Sequence, residues 1–443
     1  MKKKCKKLFI VHAVDTEGPL YESKLETIKR FNEIIKPKKQ IKTIKELDLA
    51  LNGKLFSNKI NRKIEKNFHP HLLHYNKNWS ELQTMLKKIS KKKFRKSFKD
   101  SDGKGYKITW HCVDHVNYKK NPRRRSLGYG KIFDYYNNYI QKNKLDDDIQ
   151  FHFHPMSIFN ECNKNGFLFF RNDNIYQILT RRILEKKWFP SAFRAGFHSE
   201  RQDLHDFLEQ YIPFDLSNIN KNKKGRYSKN NQIADFRYDW RRATDKWEIY
   251  NPDHDDYQSP GNCRRYIGRT LSIMDRTVAI DQKEINKAFE RANLGKKTLL
   301  SVTNHDFRNM EFEINYFINM LKKSASKYPD VKFYYNTTSE GFRNVLNLNL
   351  PKKKRLSIQI KRVSKNKFEI LTKTGKVFGP QPFLAMQLKN GRFIHDNLDF
   401  DLTNKKKWYY SLSSDSINLK DLKKIGVGAS DISGYTCVTV LNL

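Results

Sequence analysis

The chain has 443 residues, with 87 Lys and Arg against 47 Asp and Glu and a formal net charge of +40. Hydrophobic residues make up 38% and aromatics 13%, enough bulky apolar surface for a core, so wholesale disorder is excluded. No stretch reaches the roughly 18 apolar residues needed to cross a bilayer, so no transmembrane segment is expected.

In chain order, a lysine-rich start leads into Leu8–Val14 and superficially resembles a signal peptide. The apolar part contains His12 and runs into Asp15-Thr16-Glu17 with no small-residue cleavage site, so it reads as a first β-strand. Residues 36–104 are very basic and poorly periodic, an insertion near that strand. Further strands are predicted over 106–113, 149–154, 189–194, 298–303 and 331–335. Helical patterns fall between them over 131–142, 202–211, 283–292 and 311–327. This alternation predicts an α/β chain with a parallel sheet or barrel, interrupted by a long excursion over 219–258. After Leu350-Pro351 the pattern changes to short alternating segments punctuated by Gly375, Gly379, Gly391 and Gly434. Residues 349–443 therefore read as a separate all-β, sandwich-like domain, with the barrel unit over 1–348.

The five cysteines, Cys5, Cys112, Cys162, Cys263 and Cys437, are scattered and form no C-x-x-C pair, which points to a reducing cytoplasm. The positive charge suits a phosphate binder. Its basic residues, however, are spread along the whole chain, which weighs against nucleic acid and for solvated faces. A nucleotide-linked sugar, a lipid-linked precursor or peripheral contact with an anionic membrane remains compatible with the charge.

The chemistry concentrates at two predicted strand ends. Residues two apart on a strand share a face. Val14-Asp15-Thr16-Glu17-Gly18-Pro19 thus places Asp15 with Glu17, and Gln150-Phe151-His152-Phe153-His154-Pro155 places His152 with His154. An isolated D-x-E is usually a turn or capping pair, and an isolated H-x-H a surface or core feature. Together, at the carboxyl ends of parallel strands, they supply what a mononuclear metal hydrolase needs. Two later strand ends add Arg194, in Ser191-Ala-Phe-Arg194-Ala-Gly-Phe197, and His305, in Asn304-His305-Asp306-Phe-Arg308.

The order D-x-E, H-x-H-P, F-R-A-G-F, N-H-D over about residues 8–345 resembles the NodB-type polysaccharide deacetylases of carbohydrate esterase family four. Within them it is most similar to the branch associated with O-antigen and surface-polysaccharide clusters. The resemblance implies a deformed (β/α) barrel of about seven strands with one divalent metal, zinc foremost, at its carboxyl-end face. It implies a hydrolase of non-peptide carbon–nitrogen bonds that removes an N-acetyl or similar acyl group from a sugar in lipopolysaccharide or other surface-polysaccharide assembly. Asp15 then matches the catalytic base, Arg194 its partner, and His305 the acid for the leaving amine. Glu17, His152 and His154 match the metal ligands. The family usually has adjacent aspartates and histidines four apart. Here both pairs are two apart, which leaves open whether Asp15 or Glu17 holds the metal, and keeps a catalytically idle glycan-binding barrel as the alternative. Asp114, Phe197 and Asp306 are the candidate substrate contacts.

Several other groups carry a plainer expectation. His69, His71 and His74 lie in the basic insertion and read as packing residues, and His115 as cleft-lining. Ser199 reads as a helix N-cap, while Asp215 and Ser217 suit either sugar contacts or turn chemistry. Asp253-His254-Asp255-Asp256 reads as a solvated turn, and Asp235 to Trp240 as a loose echo of the family's aspartate-tryptophan element.

Overall fold

The structure is a computed structural model that describes residues 6–156, 159–164, 174–222, 239–275, 278–413 and 415–443. Cys5 and Asp235 lie outside the described residues. The first region is built on β1 (Lys7–Thr16), β2 (Thr109–Cys112), β3 (Asp148–Phe153), β4 (Ala192–Ala195), β5 (Phe214–Asn218), β6 (Ile249–Tyr250), β7 (Tyr266–Ser272), β8 (Thr298–His305) and β9 (Lys332–Asn336). Seven of these close a parallel barrel in the order β1-β2-β3-β4-β5-β7-β8 and back to β1, while β6 pairs antiparallel with β7.

β1 has three neighbours. Along one edge it follows β8 from Leu8 to Asp15. Along the other, its lower half (Lys7–Val11) pairs with β9 and its upper half (Ala13–Thr16) with β2. The barrel is therefore closed at the mouth, where the strands end, and splayed at the opposite end, where β9 takes the edge that β2 would otherwise hold. That is the deformation of this barrel.

The predicted elements are found with modest shifts. β4 begins at Ala192, beyond Pro190, which has no N–H to give a ladder. The helices over 131–143, 202–211, 282–293 and 310–327 lie between the strands as expected. Phe151 and Phe153, on the opposite face of β3 from its histidines, pack into an apolar cluster with Ile178, Phe193 and Phe207. Each such large side chain stabilises the fold by about 1.5–3 kcal/mol relative to exposure.

The basic insertion is not unpatterned. It holds helices Ile44–Leu51, Asn58–Phe68, Pro70–Leu73, Trp79–Ser90 and Lys92–Arg95. Helix Lys24–Ile35 and the first two of these share a small core of Phe31, Ile35, Leu47, Ile64 and Phe68. His71 bonds Glu313 of the barrel at 2.9 Å, a tethering role.

The carboxyl-terminal region is a sandwich of two four-stranded antiparallel sheets. Its strands are β10 (Ser357–Ser364), β11 (Lys367–Thr374), β12 (Phe383–Leu388), β13 (Phe393–Asp396), β14 (Asp399–Phe400), β15 (Lys407–Ser411), β16 (Leu422–Ser430) and β17 (Thr436–Asn442). The order is β10-β11-β15-β14 in one sheet and β13-β12-β16-β17 in the other. Ile358, Phe368, Leu384, Met386, Trp408 and Val427 fill the space between them. The outer face of the second sheet packs on the barrel helix Asn174–Lys186, so close that a Cβ at Gly428 would sit 2.6 Å from Phe189 and 2.9 Å from Ile183.

Candidate metal centre

The barrel mouth gathers the side chains singled out from the sequence. β1 and β3 each end with two polar residues on one face, and the intervening strand is only four residues long. Glu17, His152 and His154 are buried, and one ligand atom from each falls within 4.8 Å of the others. The two imidazoles face each other, Nε2 to Nε2, at 2.9 Å. His152 Nδ1 lies 2.9 Å from the carbonyl oxygen of Arg194, the arrangement of a donating Nδ1–H, which leaves Nε2 with a bare lone pair. A buried pair of imidazole nitrogens at hydrogen-bond distance beside a carboxylate, with one tautomer fixed from behind, fits a divalent ion with nitrogen and oxygen preference. This triad could hold a metal ion.

The two carboxylates are held differently. Asp15 receives a bidentate pair from Arg194, Nε to Oδ1 at 2.5 Å and Nη2 to Oδ2 at 2.9 Å, with both side chains buried. Burial alone would push its carboxyl up. The Arg194 guanidinium, with His152 and His305 nearby, reverses that and holds it well below the usual carboxylate range. Glu17 Oε2 meets Arg125 at 2.7 Å, while Oε1 faces His154 at 3.6 Å and His305 at 3.5 Å. Its carboxyl is likewise held low against the effect of burial, first by Arg125 and then by His154. Glu17 rather than Asp15 joins the imidazoles in a group compact enough for one ion.

His305 stands at the rim. Its Nε2 is 4.0 Å from Asp15 and 3.5 Å from Glu17, and its side chain keeps 31% of its exposure, against 5% and 6% for the carboxylates. Burial of the ring lowers its pKa, so it is neutral near pH 7. His115 lies edge-on to His154, ring centres 5.7 Å apart, and burial pulls it down to about 3.

The three expected substrate contacts are placed less uniformly. Asp114 is turned into the framework: Oδ2 takes two bonds from Arg182 at 3.1 and 2.8 Å, and Oδ1 takes the Gly130 N–H at 2.6 Å. With both oxygens taken and its side chain buried, it braces the β2 loop against the helix Asn174–Lys186 rather than facing a ligand. Asp306 is also buried and acts on the backbone, accepting from Glu17 N at 2.9 Å, Gly18 N at 2.8 Å and Tyr136 Oη at 2.8 Å. It thereby fixes the turn that aims Glu17, and burial pushes its own carboxyl up to about 7. Phe197 does lie at the site, its ring 4.8 Å from that of His154. Phe197 and His198 both have φ 55°, a left-handed conformation that side chains other than glycine adopt at a cost of about 1–3 kcal/mol each.

Other expectations are corrected by placement. Ser199 does not cap the following helix, which starts at Gln202 with Arg201 in the cap position. Asp215 and Ser217 brace the framework: Ser217 Oγ accepts from Ala195 N at 2.8 Å, and Asp215 pairs with Arg265 at 2.8 Å. His254 and Asp255 form an exposed pair, a solvated turn as expected. Trp240 is buried and donates from Nε1 to the His198 carbonyl at 2.9 Å, steadying the strained segment beside the cluster. Arg125 and Tyr136 were not anticipated. Comparison with protein-family models, with curated proteins and with solved structures finds no match for this chain.

Proposed function

We propose that the protein is a metal-dependent hydrolase that removes an N-acyl group, acetyl foremost, from a sugar used in lipopolysaccharide, O-antigen or other surface-polysaccharide assembly. In this reading its barrel is of the NodB type, its ion is zinc, and it works in the cytoplasm on a soluble or lipid-linked precursor. One observation carries the reading: Glu17, His152 and His154 converge within 4.8 Å at the mouth of a closed parallel barrel, beside an aspartate that an arginine keeps ionised. No described helix is long and apolar enough to cross a membrane.

Glu17 through Oε1, and the Nε2 atoms of His152 and His154, would hold the ion. When bound, such an ion supplies Lewis acidity and brings the pKa of a coordinated water down toward neutrality. Asp15, ionised and oriented by Arg194, is the proton acceptor, a role worth roughly 10²–10⁴-fold in rate. His305 is neutral at rest, so the proton that Asp15 takes from water would pass to His305, 4.0 Å away, and from it to the departing amine. Arg125 and Asp306 act through Glu17, one by charge and one by fixing its backbone. Phe197 and the rim leave His305 as the most solvent-open polar member of the cluster.

The alternative, an idle barrel that only binds glycans, draws on the Arg125 guanidinium, whose positive charge sits 2.7 Å from Glu17. Acetate release from N-acetylated oligosaccharides separates the two. The enzymatic reading expects turnover that Asp15→Asn lowers by about 10²–10⁴-fold with metal content retained. Wild-type protein that holds its metal but releases no acetate favours the idle barrel.

A further inference from the structure

The splayed end of the barrel opens a cavity of about 960 Å³ that the chemistry at the mouth does not use. It lies between the start of β1, β9, the helix Thr338–Leu346 and Tyr435 of the sandwich. Seven basic side chains and three carboxylates line it. Some of that charge is internally matched: Lys107 pairs with Asp146 at 2.7 Å and Glu340 at 3.1 Å, and Lys104 with Asp102 at 3.9 Å. Arg343 and Arg355 make no ion pair within 4.0 Å among the described residues, and the carboxylates that act on Arg343, Glu340 and Asp148, do so from beyond contact. Both guanidinium groups instead sit over the Tyr435 ring, at 4.5 and 4.0 Å from its centre. Their hydrogen bonds go to carbonyl oxygens only, Arg343 to Ser433 at 3.4 Å and Arg355 to Leu350 at 3.3 Å. The same three residues line a second cavity of about 900 Å³, so the pair stands where two cavities meet along the seam between barrel and sandwich.

Two guanidinium groups over one ring, with donors left over and no carboxylate in ion-pair contact, offer charge and N–H groups to an oxyanion. The rest of the wall suits a sugar. Phe9 and Tyr334 stack with ring centres 5.7 Å apart, an aromatic surface on which the C–H face of a pyranose packs. Asn336 lines the cavity with its side chain more than nine-tenths buried, and its amide oxygen has no partner among the described residues. We propose that this seam is a second, non-catalytic binding site for an anionic oligosaccharide, with a phosphate or carboxylate of the chain seated between Arg343 and Arg355. Asp100, Asp102 and Glu340 in the same wall disfavour a polymer charged at every unit, as nucleic acid is, while tolerating one isolated anion.

Calorimetric titration of the full-length protein tests this with four probes: a hyaluronan hexasaccharide, an oligomannoside bearing mannose 6-phosphate, neutral maltohexaose, and a single-stranded oligonucleotide. The expected result is binding of at least one anionic oligosaccharide, about tenfold or more tighter than maltohexaose and tighter than the oligonucleotide. The better of the two names the anion. Arg355→Gln, at an exposed position, and Arg343→Gln should each weaken that binding about tenfold or more while metal content is unchanged. Failure of both anionic probes to bind, unchanged affinity in the double variant, or preference for the oligonucleotide overturns the proposal.

Discussion

The two ends of this barrel handle charge in opposite ways. At the mouth, Asp15, Glu17 and Arg194 are nearly closed to solvent, and each carboxylate has a dedicated guanidinium. At the splayed end, cations outnumber anions in the cavity wall, and Arg343 and Arg355 make no ion-pair contact with a carboxylate among the described residues. Buried and matched charges fix protonation states and positions, as an ion site and a base require. Unmatched, partly exposed charges hold little structure together and are free to recruit an anion from solution. The contrast predicts that changes at the mouth disturb the fold as well as chemistry, while changes at the seam disturb binding alone.

The strongest way to break this comparison is to remove Arg194. Arg194→Met leaves Asp15 buried without its counter-charge, and chemical denaturation should show a loss of about 3–5 kcal/mol. A loss below about 1 kcal/mol would mean that the pair is solvated and the mouth resembles the seam.

Acid tests the same point on the metal-free protein. Burial holds His12, His111, His115 and His198 near 3 in the folded chain, below the ordinary histidine value of about 6.5. Between those values the unfolded chain binds protons that the folded chain refuses, so stability is lost as pH falls below about 6.5. Asp306, raised to about 7, works in the opposite sense, as do Glu200, Asp148, Glu161 and Asp431, which burial also raises. But His154, His205, His305 and His395 are lowered as well and add to the first four. Thermal melts should therefore show stability falling by at least about 1.4 kcal/mol per pH unit below pH 6. A flat profile from pH 7 to 5 would show that these rings are hydrated.

A finer probe is Gly196→Ala. A Cβ there would come within 2.2 Å of the His154 ring and 2.8 Å of the Phe153 carbonyl, forcing the imidazole aside. Metal affinity, measured by competition with a chromogenic chelator, should drop about 10–100-fold with a smaller change in stability. Neutralising Arg355 sharpens the contrast from the other end, because metal binding should not respond at all.

Much of this was legible in the sequence for identifiable reasons. Alternation on β1 and β3 put both polar pairs on one face, and Arg194 and His305 closed strands of the same barrel. Where chemistry depends on a partner far along the chain, local pattern is silent. Asp114 looks like a cleft residue until Arg182 arrives from 68 residues away, and Asp306 like a ligand contact until the Glu17 and Gly18 amides meet it from 289 and 288 residues away. Arg125 is the last of three consecutive arginines, and nothing local shows which of them turns inward to Glu17. β7 was missed because Gly268 and Arg269 interrupt its apolar run, and only the fold shows Arg269 buried against Trp247 and paired with Glu284. The insertion hid its helices under lysines, although Thr43-Ile-Lys-Glu46 is a capping box and Ile60, Ile64 and Phe68 recur at helical spacing.

The most direct test of the central claim is the metal stoichiometry of the purified protein, by plasma mass spectrometry, beside Glu17→Gln and a His152→Ala/His154→Ala double variant of verified fold. The account predicts about one divalent ion per chain in the wild type and almost none in either variant. A folded wild type that takes up no ion when zinc is supplied, or variants that keep theirs, would contradict it.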